Sequence, residues 1–255
     1  MSVAAARTSE GRYDGVDAAV LAARWRRPLV VAMARTTSTM DVAHELAADG
    51  ALAGSVVLAD EQTAGRGRAG KRWTSAPGQG VWVTAIERPR DAGALEVLSL
   101  RIGLAAARAL EPLAGRAIGI KWPNDLLVGG AKLGGILVEA RWREGSPEWV
   151  AIGIGINARP APGISAAALP DDVTRLEVLD ALLPAVASAA AASGHLSDAE
   201  MAAIEPRDVA RTRLATAPAA GRIEGISRTG ELLVRGDDGV VRGCRSGSLI
   251  FREDA

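Results

Sequence analysis

The 255-residue chain holds one cysteine, one phenylalanine, one tyrosine and two histidines. A single thiol, Cys244 in "RGCRSG", has no second cysteine with which to form a disulfide or a thiolate metal cluster, and it reads as structural. His44 and His195 have no partner at metal-ligand spacing and read the same way. Net charge is absent too, because 30 basic side chains balance 30 acidic ones, and no global field is left to hold a polyanion. Apolar runs long enough to cross a bilayer are missing; the most apolar stretches, such as 181–192, are rich in alanine and carry amphipathic spacing. The first 17 residues contain acids and no sustained apolar segment, unlike a secretory leader, so a cytoplasmic protein without membrane contact is expected.

What is present is locally uneven charge. Arg66, Arg68, Lys71 and Arg72 fall within "QTAGRGRAGKRW", residues 62–73, interleaved with Gly65, Gly67 and Gly70. Three phosphate-binding motifs compete for this stretch. A P-loop needs Ser or Thr after its lysine to hold magnesium, and Arg72 stands there. A GxGxxG dinucleotide fingerprint, like the P-loop, needs a helix to start at the loop and supply its N–H donors. The sequence that follows, "RWTSAPGQG", cannot start one, so Glu87 carries little weight as a ribose-binding acid despite its spacing. The third reading is an arginine lid: glycines free the backbone, while Arg66 and Arg68 offer planar forks for carboxylate or phosphate oxygens. Such a lid is expected to be poorly packed when empty, its four cations repelling one another, and to order around an anion.

Periodicity places a short helix before Pro28, a strand at 29–34, a helix from Ser38 or Thr39 to Asp49 stopped by Gly50, and a buried strand "SVVLAD" leading into the lid. A strand at 80–87 and a long helix stopped by Pro112 follow. Pro123 bars a continuing ladder, and Gly129-Gly130 joins "LLV" to "KLGGILVEARW" as a hairpin. "WVAIGIGIN" is a further strand, 158–170 a loop, and helices are expected near 174–192 and 198–214. The class is α+β, a mixed and mainly antiparallel sheet with helices. Residues 215–221, "ATAPAAG", read as a linker to four short strand signals, giving a catalytic core over 1–217 and a small β barrel over 218–255.

"GRGRAGKRW" resembles the glycine–arginine motif of biotin protein ligases, with Lys71 in place of their usual arginine. "TTSTM", "DEQTAGRGR", "KWPNDLLVGGAKLGGILVE" and "GIGIN" match the same family in the same order across residues 36–157. Short glycine motifs recur by chance, whereas ordered sets do not. The resemblance implies a core similar to class II aminoacyl-tRNA synthetases and lipoate ligases, with an SH3-like C-terminal barrel. It implies a two-step reaction in which biotin and ATP, with Mg2+, give biotinyl-5′-AMP and pyrophosphate, and a lysine of a biotin carboxyl carrier protein then takes the biotinyl group. The carrier domain belongs to an acyl-CoA carboxylase, and the enzyme is expected to be a monomer or weak homodimer. Residues 1–28 are too few for the helix-turn-helix domain of repressor relatives, so a short form without DNA binding is expected.

On that resemblance the biotin site comprises Ser38, Thr39, Met40 (where many relatives carry Asn), Gln62, Gly65, Arg66, Gly67, Arg68, Lys132, Gly134 and Gly135. Arg68, Arg72, Trp73, Lys121, Asn124, Lys132 and Asn157 are assigned to ATP, Asp125 to magnesium or to the incoming amine, and Lys132, Arg66 and Arg68 to catalysis. Structural roles compete at several positions: Ser38 or Thr39 as a helix N-cap, "KWPND" as a turn, Trp122 as packing. Two rival functions are a lipoate or octanoate ligase-type transferase and a nucleic-acid binder. A thioester route needs a cysteine in the pocket, and a nucleic-acid surface needs more aromatics than this chain has.

Overall fold

The computed structural model describes residues 8–88, 91–159 and 166–252. The chain opens with a small hairpin, β1 (Arg12–Tyr13) and β2 (Val16–Asp17), whose Asp14-Gly15 turn has positive φ at both residues. Helix α1 (Ala18–Trp25) follows, then β3 (Val30–Thr36), α2 (Thr39–Ala48), β4 (Val56–Gln62) and β5 (Gly80–Glu87). Next come the long helix α3 (Ala92–Ala114), β6 (Gly119–Lys121), β7 (Asp125–Val128), β8 (Ala131–Arg143) and β9 (Ser146–Asn157). Helices α4 (Arg175–Ala190) and α5 (Asp198–Ile204) precede five short strands: β10 (Leu214–Ala217), β11 (Gly221–Ile226), β12 (Leu232–Arg235), β13 (Val241–Cys244) and β14 (Ile250–Phe251).

Strands β3 to β9 form one seven-stranded sheet in the order β3-β4-β5-β9-β8-β7-β6. Only the β3–β4 pair is parallel, in keeping with the α2 crossover between them; every other neighbour pair is antiparallel. Helices α3 and α4 cover one face, where Val97, Ile102, Leu110, Leu179 and Leu182 pack on Val83, Ile136 and Ile154 in the main core. Helix α2 covers part of the other face through Met40, Ala43, Leu46 and Ala47 against Val57, Ile86, Trp149 and Ala151. The expected α+β class with a mixed, mainly antiparallel sheet is what the chain adopts.

Three expectations fail for identifiable reasons. Pro112 does not stop α3: it sits in the last turn, where a missing N–H costs one bond, and the helix ends at Gly115 in the left-handed region (φ 61°). The helix expected over 198–214 ends at Ile204, because Pro206 turns the chain into a short 3-10 segment. Residues 215–221 are not a linker; β10 pairs with both β11 and β14, and Ala215 is fully buried. Small residues at 215–217 look like a flexible tether by composition, yet they form a paired strand whose Ala215 is buried. Part of the loop expected at 158–170 lies outside the described residues.

The second sheet, β13-β12-β11-β10-β14, is antiparallel throughout and docks on the core. Buried Trp122 donates its Nε1–H to the Gly230 carbonyl at 2.9 Å, so the "KWPND" turn is tied to the second sheet.

Candidate functional site

Register alone creates a trough on the α2 face. Antiparallel neighbours that pair directly point their side chains to the same side. Gly135, Gly155 and Trp82 form one such row across β8, β9 and β5, and Leu137, Gly153 and Thr84 form the next. Glycine in both rows leaves the sheet bare between walls. Trp73 lies against this floor: a Cβ on Gly155 would come within 2.7 Å of its ring, and one on Gly135 within 3.3 Å. A Cβ on Gly153 would meet the Met40 sulfur at 2.8 Å. The cavity above the floor measures about 490 Å3.

One wall is the start of α2. Ser38 caps the helix, its hydroxyl accepting from Met40 N at 3.2 Å. Thr39 gives both its N–H (2.9 Å) and its hydroxyl (3.1 Å) to Gln62 Oε1, and that hydroxyl also meets Thr84 Oγ1 at 2.8 Å. Gln62 then donates to Ser75 Oγ at 2.8 Å. Gln62 therefore cross-links the helix start to both strands of the lid's neck. Met40, where relatives often carry a polar residue, is buried apolar wall.

The opposite wall is residues 62–73 themselves. They fold as a tight hairpin, with Gln62 bridged to Ser75, Arg66 bridged to Arg72, and a 3-10 turn at Arg68–Gly70 in which Ala69 has φ 53°. No helix follows the loop, as the lid reading requires. Gly65 is not among the residues lining this cavity; a Cβ there would strike the Trp73 carbonyl at 2.4 Å, so this glycine serves the neck. The expectation of four mutually repelling cations is corrected. Arg66 is paired with Glu139 at 2.9 Å and Asp41 at 3.3 Å, and Arg72 donates to the Thr63 carbonyl at 3.0 Å. Burial lowers the Arg68 pKa from its ordinary value, opposed by nearby Asp125, and the guanidinium is still charged at any physiological pH.

The far end holds Lys132 and Asp125, with Nζ 2.7 Å from Oδ1, and the same ammonium 4.9 Å from the Trp73 ring centroid. Lys121 borders this cavity and an adjoining one of about 560 Å3 that Arg213 and Phe251 also line. Asn124 donates Nδ2 to the Ile136 carbonyl at 2.8 Å, bracing the turn against β8. Asn157 is outside the cavity lining; its amide donates to the Lys132 carbonyl at 3.1 Å, so it braces the strand that carries Lys132. Gly134 also points away, since a Cβ would meet the Gly155 carbonyl and Ile156, both at 2.6 Å. Glu87 lines neither cavity; burial raises its pKa at the far end of β5, opposed by Arg27. No cluster of three or more metal-ligating side chains occurs among the described residues.

Sequence reading missed Ser246–Leu249, which the second sheet contributes to the cavity wall, and the floor pair Gly153 and Gly155. The alternating glycines of "GIGIN" were a usable signal, because a strand glycine marks close approach. Nothing in "SGSL" distinguishes it from a turn. Two indole donors, Trp73 Nε1 and Trp82 Nε1, are buried without a partner among the described residues.

Comparison with known proteins follows the same lines. The sequence profile described as "Biotin/lipoate A/B protein ligase family" matches residues 32–157. A biotin–[acetyl-CoA-carboxylase] ligase of Paracoccus denitrificans is 37% identical over 235 residues, covering 81% of this chain and 94% of that protein. The bifunctional ligase/repressor of Bacillus subtilis is 43% identical over 141 residues, 55% of this chain. That match spans only 43% of the repressor's own length. Among solved structures, the biotin protein ligase from Aquifex aeolicus in complex with biotin and ATP superposes with a TM-score of 0.72 at 26% identity, covering 88% of this chain and 98% of that one.

Proposed function

From the membership of this chain in the biotin/lipoate A/B protein ligase family, we propose that it activates biotin with ATP and transfers the biotinyl group to a carrier-protein lysine. The biotin carboxylate oxygen attacks the α-phosphorus of ATP, the bond to the β-phosphate oxygen breaks, and biotinyl-5′-AMP and pyrophosphate result. The amine of a carrier lysine then attacks the acyl carbon, losing a proton as AMP leaves. The observation that carries this reading is Lys132 and Arg68 lining the same lidded, glycine-floored cavity.

In the first step two anions must meet, and fixed cations offset their repulsion and spread the charge of the transition state. Lys132 takes the reacting carboxylate and phosphate oxygens, with Arg68 opposite. Lys121, Arg72 and the face of Trp73 receive the nucleotide. Met40 and Leu137 give the acyl chain an apolar wall, and the unpaired indole donors of Trp73 and Trp82 suit a polar ligand. Gln62, Ser38 and Asn157 shape the site through the hydrogen bonds described above. The mixed anhydride hydrolyses in water, so a closing lid protects it.

ATP arrives as its magnesium complex, a hard cation that takes one or two carboxylates beside phosphate oxygens. Asp125 is the carboxylate lining the cavity that would hold this ion, which would supply neutralisation of phosphate charge. We take the chain as two units, a catalytic core and the C-terminal sheet with β10 in the second. It acts in the cytoplasm as a monomer or weak homodimer, without DNA, on the carrier domain of an acyl-CoA carboxylase.

Pyrophosphate release measured with biotin and with lipoate tests the proposal. Release with biotin alone supports it; release with lipoate or octanoate alone replaces it with the rival transferase.

A further inference from the structure

One sheet row beyond the trough, Glu139 pairs with Ala151 on the same α2 face. Its Oε2 collects two contacts, Arg66 of the lid at 2.9 Å and His44 Nε2 at 3.2 Å. His44 Nδ1 in turn lies 3.0 Å from the indole nitrogen of Trp149, which is buried. Chemistry fixes the direction of this chain. An indole N–H can only donate, so His44 Nδ1 must accept, the ring proton sits on Nε2, and Nε2 donates to Glu139. Asp41, one turn before His44 on α2, lies 3.3 Å from the same Arg66 nitrogen.

We infer that Glu139 is a positioning residue for the lid: held in orientation by His44 and, through it, by Trp149, it fastens Arg66 and keeps residues 62–73 shut over the adenylate. The inference rests on the adenylating reading above. An ordinary exposed ion pair gains little, because two flexible side chains must be frozen to make it. Here the carboxylate is already oriented by the His44 ring, itself held against the core residue Trp149, so only the arginine has to be ordered. The arrangement also divides labour within "GRGR". Arg66 is engaged with Glu139 and Asp41 at the cavity rim, and Arg68, beside Asp125, is left as the lid's cation at the reacting centre.

The test compares wild type with Glu139→Gln, Arg66→Ala, Glu139→Ala and the Arg66→Ala/Glu139→Ala double variant. Hydrogen exchange at the Gly67 and Lys71 amides, both bonded within the lid, is read without ligand and is expected to quicken about fivefold in Glu139→Gln. With biotin, ATP and a carrier domain, the fraction of adenylate lost to water before transfer rises in each variant. The double variant is no worse than either single one, because the two residues act through one contact. Nitrogen-15 NMR of the wild type is expected to find the His44 ring proton on Nε2, with Nδ1 bare. Lid exchange at the wild-type rate in Glu139→Gln, or additive losses in the double variant, overturns the inference. If wild type forms no adenylate from biotin and ATP, the functional reading fails on its own, while the exchange rates still decide whether Glu139 fastens the lid.

Discussion

Lys132 Nζ and Asp125 Oδ1 lie 2.7 Å apart across the β7–β8 hairpin, at the end of the cavity farthest from α2. Each sits on a different strand of one hairpin, so a single local fold presents a cation to the cavity and a carboxylate that holds it in place. Truncating the lysine leaves the hairpin ladder intact and removes the charge. Lys132→Ala is expected to cut biotin-dependent pyrophosphate release by on the order of a hundredfold with an unchanged circular dichroism spectrum. Activity within twofold of wild type would remove Lys132 from the chemistry.

Gly134 on β8 and Gly155 on β9 serve opposite faces of the sheet, and alanine separates their roles. Gly134→Ala drives a methyl against the Gly155 carbonyl and Ile156, and it should lower stability by about 1–3 kcal/mol in a urea titration. Gly155→Ala meets the Trp73 ring on the cavity side instead. That ring has to move, so nucleotide affinity should fall while the unfolding midpoint shifts less than in Gly134→Ala. Equal effects of the two substitutions on binding would contradict the register described here.

Gln62 is bonded at both ends of its amide by Thr39 and Ser75. Gln62→Leu keeps the volume and strands the Thr39 N–H, so a loss of about 1–3 kcal/mol is expected, read as a lower melting temperature even without biotin. A variant as stable as wild type would mean that the amide is spent on ligand rather than on the neck of the lid.

Asp91 caps α3, accepting from Ala94 N at 2.7 Å and from Gly194 N at 3.0 Å. These N–H donors, Ala94 first, hold its carboxyl below the usual aspartate value. Its folded-state pKa lies below the unfolded one of about 3.9, so the stabilisation is complete above that value and fades as pH falls through the folded one. Asp91→Asn keeps a cap without the charge. Its melting temperature should trail wild type at pH 7, and the gap should narrow as pH is lowered below about 3.9; a gap that widens in acid would reverse the assignment.

Much of this was legible in the chain. Alternation in "GVWVTAIE" and "WVAIGIGIN" and the Gly129-Gly130 turn give the central strands, because a half-buried sheet imposes its period on the side chains. The lid was legible by elimination, since "SAPGQG" forbids the helix both rival motifs need. What the chain hides is partnership across distance. Nothing near Arg66 announces Glu139, and nothing in "ATAPAA" announces the paired strand β10. Pro112 misled because a proline near a helix end does not break it. Asn157 and Gly134 stand in matched segments, yet each turns from the cavity and supports a neighbour, a distinction only register reveals.

The cavity wall contributed by Ser246–Leu249 has a consequence for biosynthesis. Synthesis runs from the N-terminus, and nearly the whole core, including the strands that carry Lys132 and the glycine floor, precedes this segment. A chain still threaded through the ribosomal tunnel can therefore build the sheet, but its pocket stays open on one side until residues 246–249 emerge. A core still lacking this segment thus has a pocket that solvent can enter from that side.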